Sequence, residues 1–237
     1  MTLKVTILVY TLNEIDGIRI MMPRIKKEWY DELLVIDGGS TDGTVEYAGE
    51  HGYKVYRQSY PCWGGAYQEA YKQATGDILI DFSPDGNSIP ELIPALIHKV
   101  KEGYDQVFAS RYFGGAKSQD DNSLTAFGNA LFTKGINLLF GARYTDTLVI
   151  FRAYRRTMLE KAGMLDCELD QCVTGLLSIR CAKIRGKYAD IPGDEPKRLG
   201  GQPKMNPWKD GARVLGVMLK EFFLWEIRRA KKGVVRW

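Results

Sequence analysis

Carboxylates, amides and hydroxyls gather at three places in this chain, each just after an apolar run. They are Asn13-Glu14, the stretch Asp37-Gly38-Gly39-Ser40-Thr41-Asp42-Gly43-Thr44, and the stretch Asp81-Phe82-Ser83-Pro84-Asp85-Gly86-Asn87. A carboxylate beside glycines can accept hydrogen bonds from a ligand while the backbone comes close to it. Arg111 closes a further apolar run, and a guanidinium presents a planar fork to phosphate oxygens. The competing structural reading has Glu14 and Asp37 capping turns, an Asx turn at Pro84-Asp85-Gly86-Asn87, and Arg111 as a surface charge.

The elements that must position these residues alternate in type. Lys4–Tyr10, Leu33–Ile36, Lys54–Tyr56, Ile78–Ile80 and Gln106–Ala109 are short apolar runs that read as strands. Between them lie helical patterns at Thr41–Glu46, Gly65–Ala74 and Ile89–Val100, the last entered through Pro90. This order predicts an α/β fold with a mainly parallel sheet flanked by helices. Sheets of that kind bind ligands at the carboxyl ends of their strands, where Asn13, Glu14, Asp37, Asp81, Asp85 and Arg111 all fall. After Arg111 the pattern changes: Asn122–Phe140 reads as a long helix, Thr145–Phe151 as a strand, Asp170–Lys183 as a helix and Ile191–Lys204 as a loop able to cover a site. The spacing suggests a ligand-binding half over about 1–115, a second half over about 116–208, and a tail over 209–237.

Composition narrows the possibilities. With 237 residues, 45% hydrophobic and 26% charged, the chain is an ordinary globular protein and neither disordered nor collagenous. Four cysteines without a C-x-x-C spacing read as free thiols, and two histidines are too few for a histidine-rich metal site or a His-based triad. The apolar stretch at the N-terminus is too short for a signal peptide, and no apolar run is long enough to span a membrane. The net charge of +4 is uneven: residues 209–237 carry 8 Lys/Arg against 3 Asp/Glu, and the first 208 carry 25 against 26.

Taken together, Val9-Tyr10-Thr11-Leu12-Asn13-Glu14, the Asp37–Thr44 stretch and Gly76–Asn87 resemble the family-two glycosyltransferases of the GT-A fold, in particular the dolichyl- and polyprenyl-phosphate sugar synthases. The resemblance spans about residues 3–205. It implies that Thr11, Asn13, Glu14, Asp37, Gly38, Ser40 and Asp85 bind a nucleotide diphosphate sugar. It implies inversion at the sugar, and it places a divalent metal, Mg²⁺ or Mn²⁺, on Asp85 and Asn87. Here the chain departs from the family's Asp-x-Asp, with Ser83 where the first Asp would stand. Ser110-Arg111-Tyr112, Asp146 with Phe151-Arg152, and Arg198–Lys204 resemble the synthases' acceptor segments. They make Arg111, Arg198 and Lys204 candidates for binding an anionic acceptor, and Asp85 and Arg198 catalytic.

The acceptor divides the readings. A hydroxyl usually needs a carboxylate base. The family's acidic position falls near Thr174-Gly175-Leu176, which offers none, although Asp170 and Glu168 are close in sequence. A phosphate acceptor is already anionic near neutral pH and needs no base. The expectation is therefore transfer to a polyprenyl phosphate. The alternatives are a same-fold enzyme acting on a saccharide or glycolipid hydroxyl with Asp170 as base, and a non-catalytic nucleotide-sugar binder. The run Val214–Arg229 places Leu215, Met218, Phe222 and Trp225 on one face with a basic end, as in an amphipathic helix lying in a membrane interface. The corresponding place is the cytoplasmic side of the membrane, peripherally bound. Nucleic acid is not an expected partner, because the basic excess lies on an apolar tail; a homo-oligomer is left open.

Overall fold

The computed structural model describes residues 3–165, 172–200 and 206–231, the last as backbone only beyond residue 224. Seven strands form one sheet in the order β3-β2-β1-β4-β6-β5-β7. They are β1 (Val5–Thr11), β2 (Glu32–Asp37), β3 (Lys54–Arg57), β4 (Ile78–Phe82), β5 (Gln106–Ser110), β6 (Arg152–Arg155) and β7 (Tyr188–Pro192). Every pairing is parallel except those of β6, which runs antiparallel between β4 and β5. β1, β4 and β5 are buried along their whole length, the reason they read as continuous apolar runs.

The helices are α1 (Ile15–Met21), α2 (Thr44–Glu50), α3 (Trp63–Gln73), α4 (Ile93–Lys101), α5 (Ser123–Phe140), α6 (Arg156–Lys161), α7 (Val173–Lys183) and α8 (Pro207–Lys231). Residues alternate between two cores along each strand. Ile7, Val9, Ile80 and Phe82 pack with Ile18 of α1, Leu96 of α4, Ile136 of α5 and Met218 of α8. Leu8, Tyr10 and Leu79 pack with Tyr67 of α3, Leu159 of α6 and Leu177 of α7. α5 opens on a capping box in which Asn122 and Thr125 satisfy each other's backbone N–H groups, and it closes on Gly141.

The strand expected at Thr145–Phe151 lies instead at Arg152–Arg155. Asp146 is the cause: its carboxylate accepts the N–H groups of Leu148 (3.3 Å) and Val149 (3.2 Å), holding them in a turn rather than a ladder. Arg152 then reinforces that turn, donating to the carbonyls of Thr147 and Val149. The loop expected from Ile191 begins later, because Tyr188–Pro192 is the edge strand β7.

Candidate active site

Strand order reverses at β1: β2 and β3 extend to one side, β4 and the rest to the other. The loops leaving β1, β2 and β4 diverge there and leave a crevice. The first two are stitched together. Asn13, in the left-handed region at φ 54°, donates its N–H to Ser40 Oγ (2.8 Å) and accepts the N–H of Thr41 on its Oδ1 (2.8 Å). The N–H of Glu14 donates to Thr44 Oγ1 (3.0 Å), and that of Ile15 to the Asp42 carboxylate (3.0 Å).

Asp37 is buried at the end of β2 and accepts four hydrogen bonds. Thr11 Oγ1 (3.1 Å) and Ser40 Oγ (2.5 Å) donate to one oxygen, and the N–H groups of Gly39 (2.7 Å) and Ser40 (2.9 Å) to the other. Four donors fill a carboxylate's roughly four lone-pair sites. Asp37 therefore fixes the shape of the loop, and the Ser40 hydroxyl is the partner that a ligand hydroxyl can replace. Gly38 closes the turn by donating its N–H to the Thr11 carbonyl (2.8 Å).

Across the crevice, Arg198 joins two buried carboxylates. Its Nη2 lies 3.0 Å from Asp85 Oδ2 and its Nη1 3.6 Å from Glu14 Oε1. The next residue, Leu199, donates its N–H to the Asp85 carbonyl (2.8 Å), so the segment after β7 is pinned onto the loop after β4. Two glycines permit this meeting. Gly86 sits at φ 97°, and a Cβ there would lie 2.6 Å from Leu199 Cγ; a Cβ on Gly17 of α1 would lie 2.1 Å from the Pro84 carbonyl oxygen.

Asn87 donates its N–H to Asp85 Oδ1 (3.1 Å) and its side-chain Nδ2 to Asp120 (3.0 Å). Its Oδ1 is buried and has no hydrogen-bond partner. Among the described residues, no group of three or more His, Cys, Asp or Glu is arranged to hold a metal alone. The Asp85 carboxylate and this orphaned amide oxygen nevertheless fit a hard cation that draws its remaining ligands from a diphosphate and water. Asp81 does not join them. It lies in β4 and points into the core on the α3 side, where Tyr10 (2.9 Å) and Tyr154 (2.6 Å) donate to Oδ1. Burial pushes its pKa up to about 7, against the hydrogen bond from Tyr154 and the charge of Arg152, which lower it.

Arg111 occupies a separate nest of carboxylates. Its Nε (2.7 Å) and Nη2 (3.0 Å) donate to Asp146, while Nη1 lies 3.4 Å from Glu195 and 3.7 Å from Asp121. Burial works against its charge, but Asp146 and Glu195 outweigh it and hold its pKa well above the usual value. Glu195 stands three residues before Arg198 and also accepts from the Ser118 hydroxyl. Through Glu195, Arg111 thus secures the segment that carries Arg198. Lys204, Asp170 and Glu168 lie outside the described residues. The anchors Asp120, Asp121 and Glu195 escaped the motif reading; the acidic pair Asp120-Asp121, just before the helix cap at Asn122, was the one available signal.

The carboxylates at a strand-order reversal, with a glycine-rich loop after β2, can be compared with known proteins. The description "Glycosyl transferase family 2" matches residues 6–163. The chain belongs to that family. It is accordingly a glycosyltransferase. It is 30% identical over 234 residues to the glycosyltransferase AglJ of Haloferax volcanii, covering 96% of this chain and 72% of that one. It is 25% identical over 249 residues to the undecaprenyl-phosphate mannosyltransferase of Micrococcus luteus, covering 98% of this chain and all of the relative. Among solved structures, glucosyl-3-phosphoglycerate synthase from Mycobacterium tuberculosis, crystallised with Mn²⁺, UDP and glucosyl-3-phosphoglycerate, superposes with a TM-score of 0.72 at 20% identity, covering 92% of this chain and 80% of that one. This likeness establishes the GT-A architecture.

Proposed function

We propose that this family 2 glycosyltransferase moves a sugar from a nucleotide diphosphate sugar, UDP- or GDP-linked, to a polyprenyl or dolichyl phosphate, with inversion and divalent-metal assistance. The observation that carries the reading is the convergence of Glu14, Asp37 and Asp85 at the strand-order reversal, with Arg198 spanning two of them. Supporting it is the match, over nearly the whole of both chains, to a relative named for undecaprenyl phosphate. Thr11, Asn13, Gly38 and Ser40 shape the nucleoside end through Asp37. Asp85 and Asn87 would hold Mg²⁺ or Mn²⁺, which when bound offsets the charge growing on the leaving diphosphate. Arg198, and Lys204 in the same segment, supply cations for the acceptor, while Arg111 positions that segment. Residues of about 1–115 serve the donor and about 116–208 the acceptor, with 209–237 as a tail.

In the reaction, an oxygen of the acceptor phosphate forms a bond to the anomeric carbon as the bond from that carbon to the diphosphate breaks. The nucleoside diphosphate leaves with the electron pair. No proton has to be removed from the nucleophile, in keeping with α7, which has no carboxylate at Thr174-Gly175-Leu176. The acceptor class places the enzyme peripherally on the cytoplasmic face of a membrane. Among the described residues, no helix is long and apolar enough to cross one.

Paired acceptors test the reading. A short polyprenyl phosphate should be glycosylated and the matching polyprenol left untouched, with Asp170→Asn retaining activity. Glycosylation of the alcohol or of a saccharide, abolished in Asp170→Asn, would assign the site to a hydroxyl acceptor instead.

A further inference from the structure

Nine of the fifteen large apolar side chains exposed among the described residues sit on just two helices, α5 and α8. The helices lie side by side. Met218 of α8 packs over Gly135 of α5, where a Cβ would come within 2.7 Å of its Cε; Phe132 faces Gly211, and the Phe140 and Phe222 rings lie 6.3 Å apart. The contacts advance together along both helices, so the two run parallel. Thr133, Ile136 and Phe140 of α5 and Val214, Met218 and Glu221 of α8 turn inward. Glu221 is fixed there by Arg180 (3.1 Å) and Lys183 (2.5 Å) of α7.

The opposite faces are apolar too. Leu124, Phe127, Leu131 and Leu138 recur at helical spacing on α5, with Phe127 66% and Leu138 83% exposed. Trp208, Leu215, Leu219 and Phe223 do the same on α8, with Trp208 79% and Phe223 60% exposed. With the inward faces fixed, helical geometry turns both stripes to the same outer side, where they adjoin along the seam of Gly135 and Met218. Exposed cations border the combined stripe: Lys134 on the far edge of α5, Lys209 and Lys220 on that of α8. Among the residues whose side chains are described, through residue 224, no free acid interrupts it. α5 contains none, Asp210 is bonded to Arg213 (2.8 Å), and Glu221 is the buried one. The sequence beyond the described side chains adds five cations, Arg228, Arg229, Lys231, Lys232 and Arg236, against one acid, Glu226.

We infer that α5 and α8 together form a docking surface for an anionic lipid bilayer, with α5 an equal partner of the C-terminal helix. A contiguous apolar face of this size, rimmed by lysines and, among the described side chains, free of unpaired acids, matches an acyl boundary beneath anionic headgroups. A protein partner would place fewer demands on the sign of the rim. The face begins at the site: Asp121, two residues before α5, contacts both Arg111 and the Tyr112 hydroxyl, and Asp120 holds Asn87. A lipid phosphate leaving the bilayer would therefore meet the crevice at the N-terminal end of α5. This last step rests on the proposed acceptor; the docking itself does not.

Sedimentation with phosphatidylcholine vesicles, with and without phosphatidylglycerol, tests it on the full chain. Wild type should pellet with the anionic vesicles, less so at high salt. Phe127→Ser with Leu138→Gln should weaken that partition by about tenfold or more, because two large side chains no longer leave water. Both side chains project into solvent, so the melting temperature and turnover of a water-soluble short-chain polyprenyl phosphate should hold. Wild type left in the supernatant, or variant and wild type pelleting alike, would overturn the proposal. So would a wild-type dimer that the double substitution dissociates, since the face would then belong to a second copy. Vesicle binding without turnover of any lipid phosphate would fault the acceptor assignment alone, and turnover without vesicle binding the docking alone.

Discussion

A single guanidinium spanning two carboxylates sets the electrostatics of the crevice. Arg198 lies 3.0 Å from Asp85 and 3.6 Å from Glu14, neutralising the carboxylate that a divalent cation would use. Cation and arginine would thus compete for Asp85, and opposite charges at this separation interact strongly in a partly buried site. Arg198→Met should tighten Mn²⁺ binding to the nucleotide-free protein, read by calorimetry, while slowing transfer. Asp85→Asn should abolish that binding and lower nucleoside diphosphate release by about 100-fold, a usual cost of losing one transition-state electrostatic contact. Unchanged Mn²⁺ affinity in Arg198→Met would remove the competition. Much of this site was legible in the residues, since Asp37, Glu14 and Asp85 stand at the ends of apolar runs whose strand character is unambiguous. Arg111 was not legible in the same way. Its motif marks an arginine, but only the fold brings Asp146 and Glu195 against it from 35 and 84 residues away.

Among the elements, the strands that read most plainly are those buried on both faces, β1, β2, β4 and β5. β6 was missed because its sequence, Arg152-Ala153-Tyr154-Arg155, carries two charges, while the apolar Leu148–Phe151 just before it is held in a turn by Asp146. Its Arg152 is fully buried, with its guanidinium bonded to main-chain carbonyls, an arrangement no local pattern announces. β4 carries a second buried charge site. Asp81, ringed by tyrosines, has its pKa raised to about 7 from 3.8, chiefly by burial. A carboxyl whose folded pKa is raised stabilises the fold fully below its unfolded pKa, and that contribution is lost as pH rises through the folded pKa. Asp81→Asn keeps an acceptor for Tyr10 and Tyr154 and cannot ionise. Its melting temperature should therefore gain on wild type between about pH 4 and about pH 7. Parallel melting profiles across that range would show that Asp81 does not titrate there.

For the molecule as a whole, the sheet sets out the parts of a transfer reaction in order. In the proposed function the strand-order reversal would hold the donor end; the segment after β7 crosses it through Arg198, and α5 with α8 turns an apolar face outward beside it. The sequence already showed the basic, apolar tail, but it put Met218 on the outer face, whereas packing turns Met218 inward over Gly135 and leaves Leu215, Leu219 and Phe223 outside; nor did it show that α5 doubles that face. The measurement that tests the central claim most directly is release of nucleoside diphosphate from a panel of UDP- and GDP-sugars, with Mn²⁺, Mg²⁺ or chelator, and with or without a short polyprenyl phosphate. The expected result is release from one class of donor that requires both the lipid phosphate and the metal. Release that proceeds equally without lipid phosphate, or binding of nucleotide with no release from any donor, would contradict it.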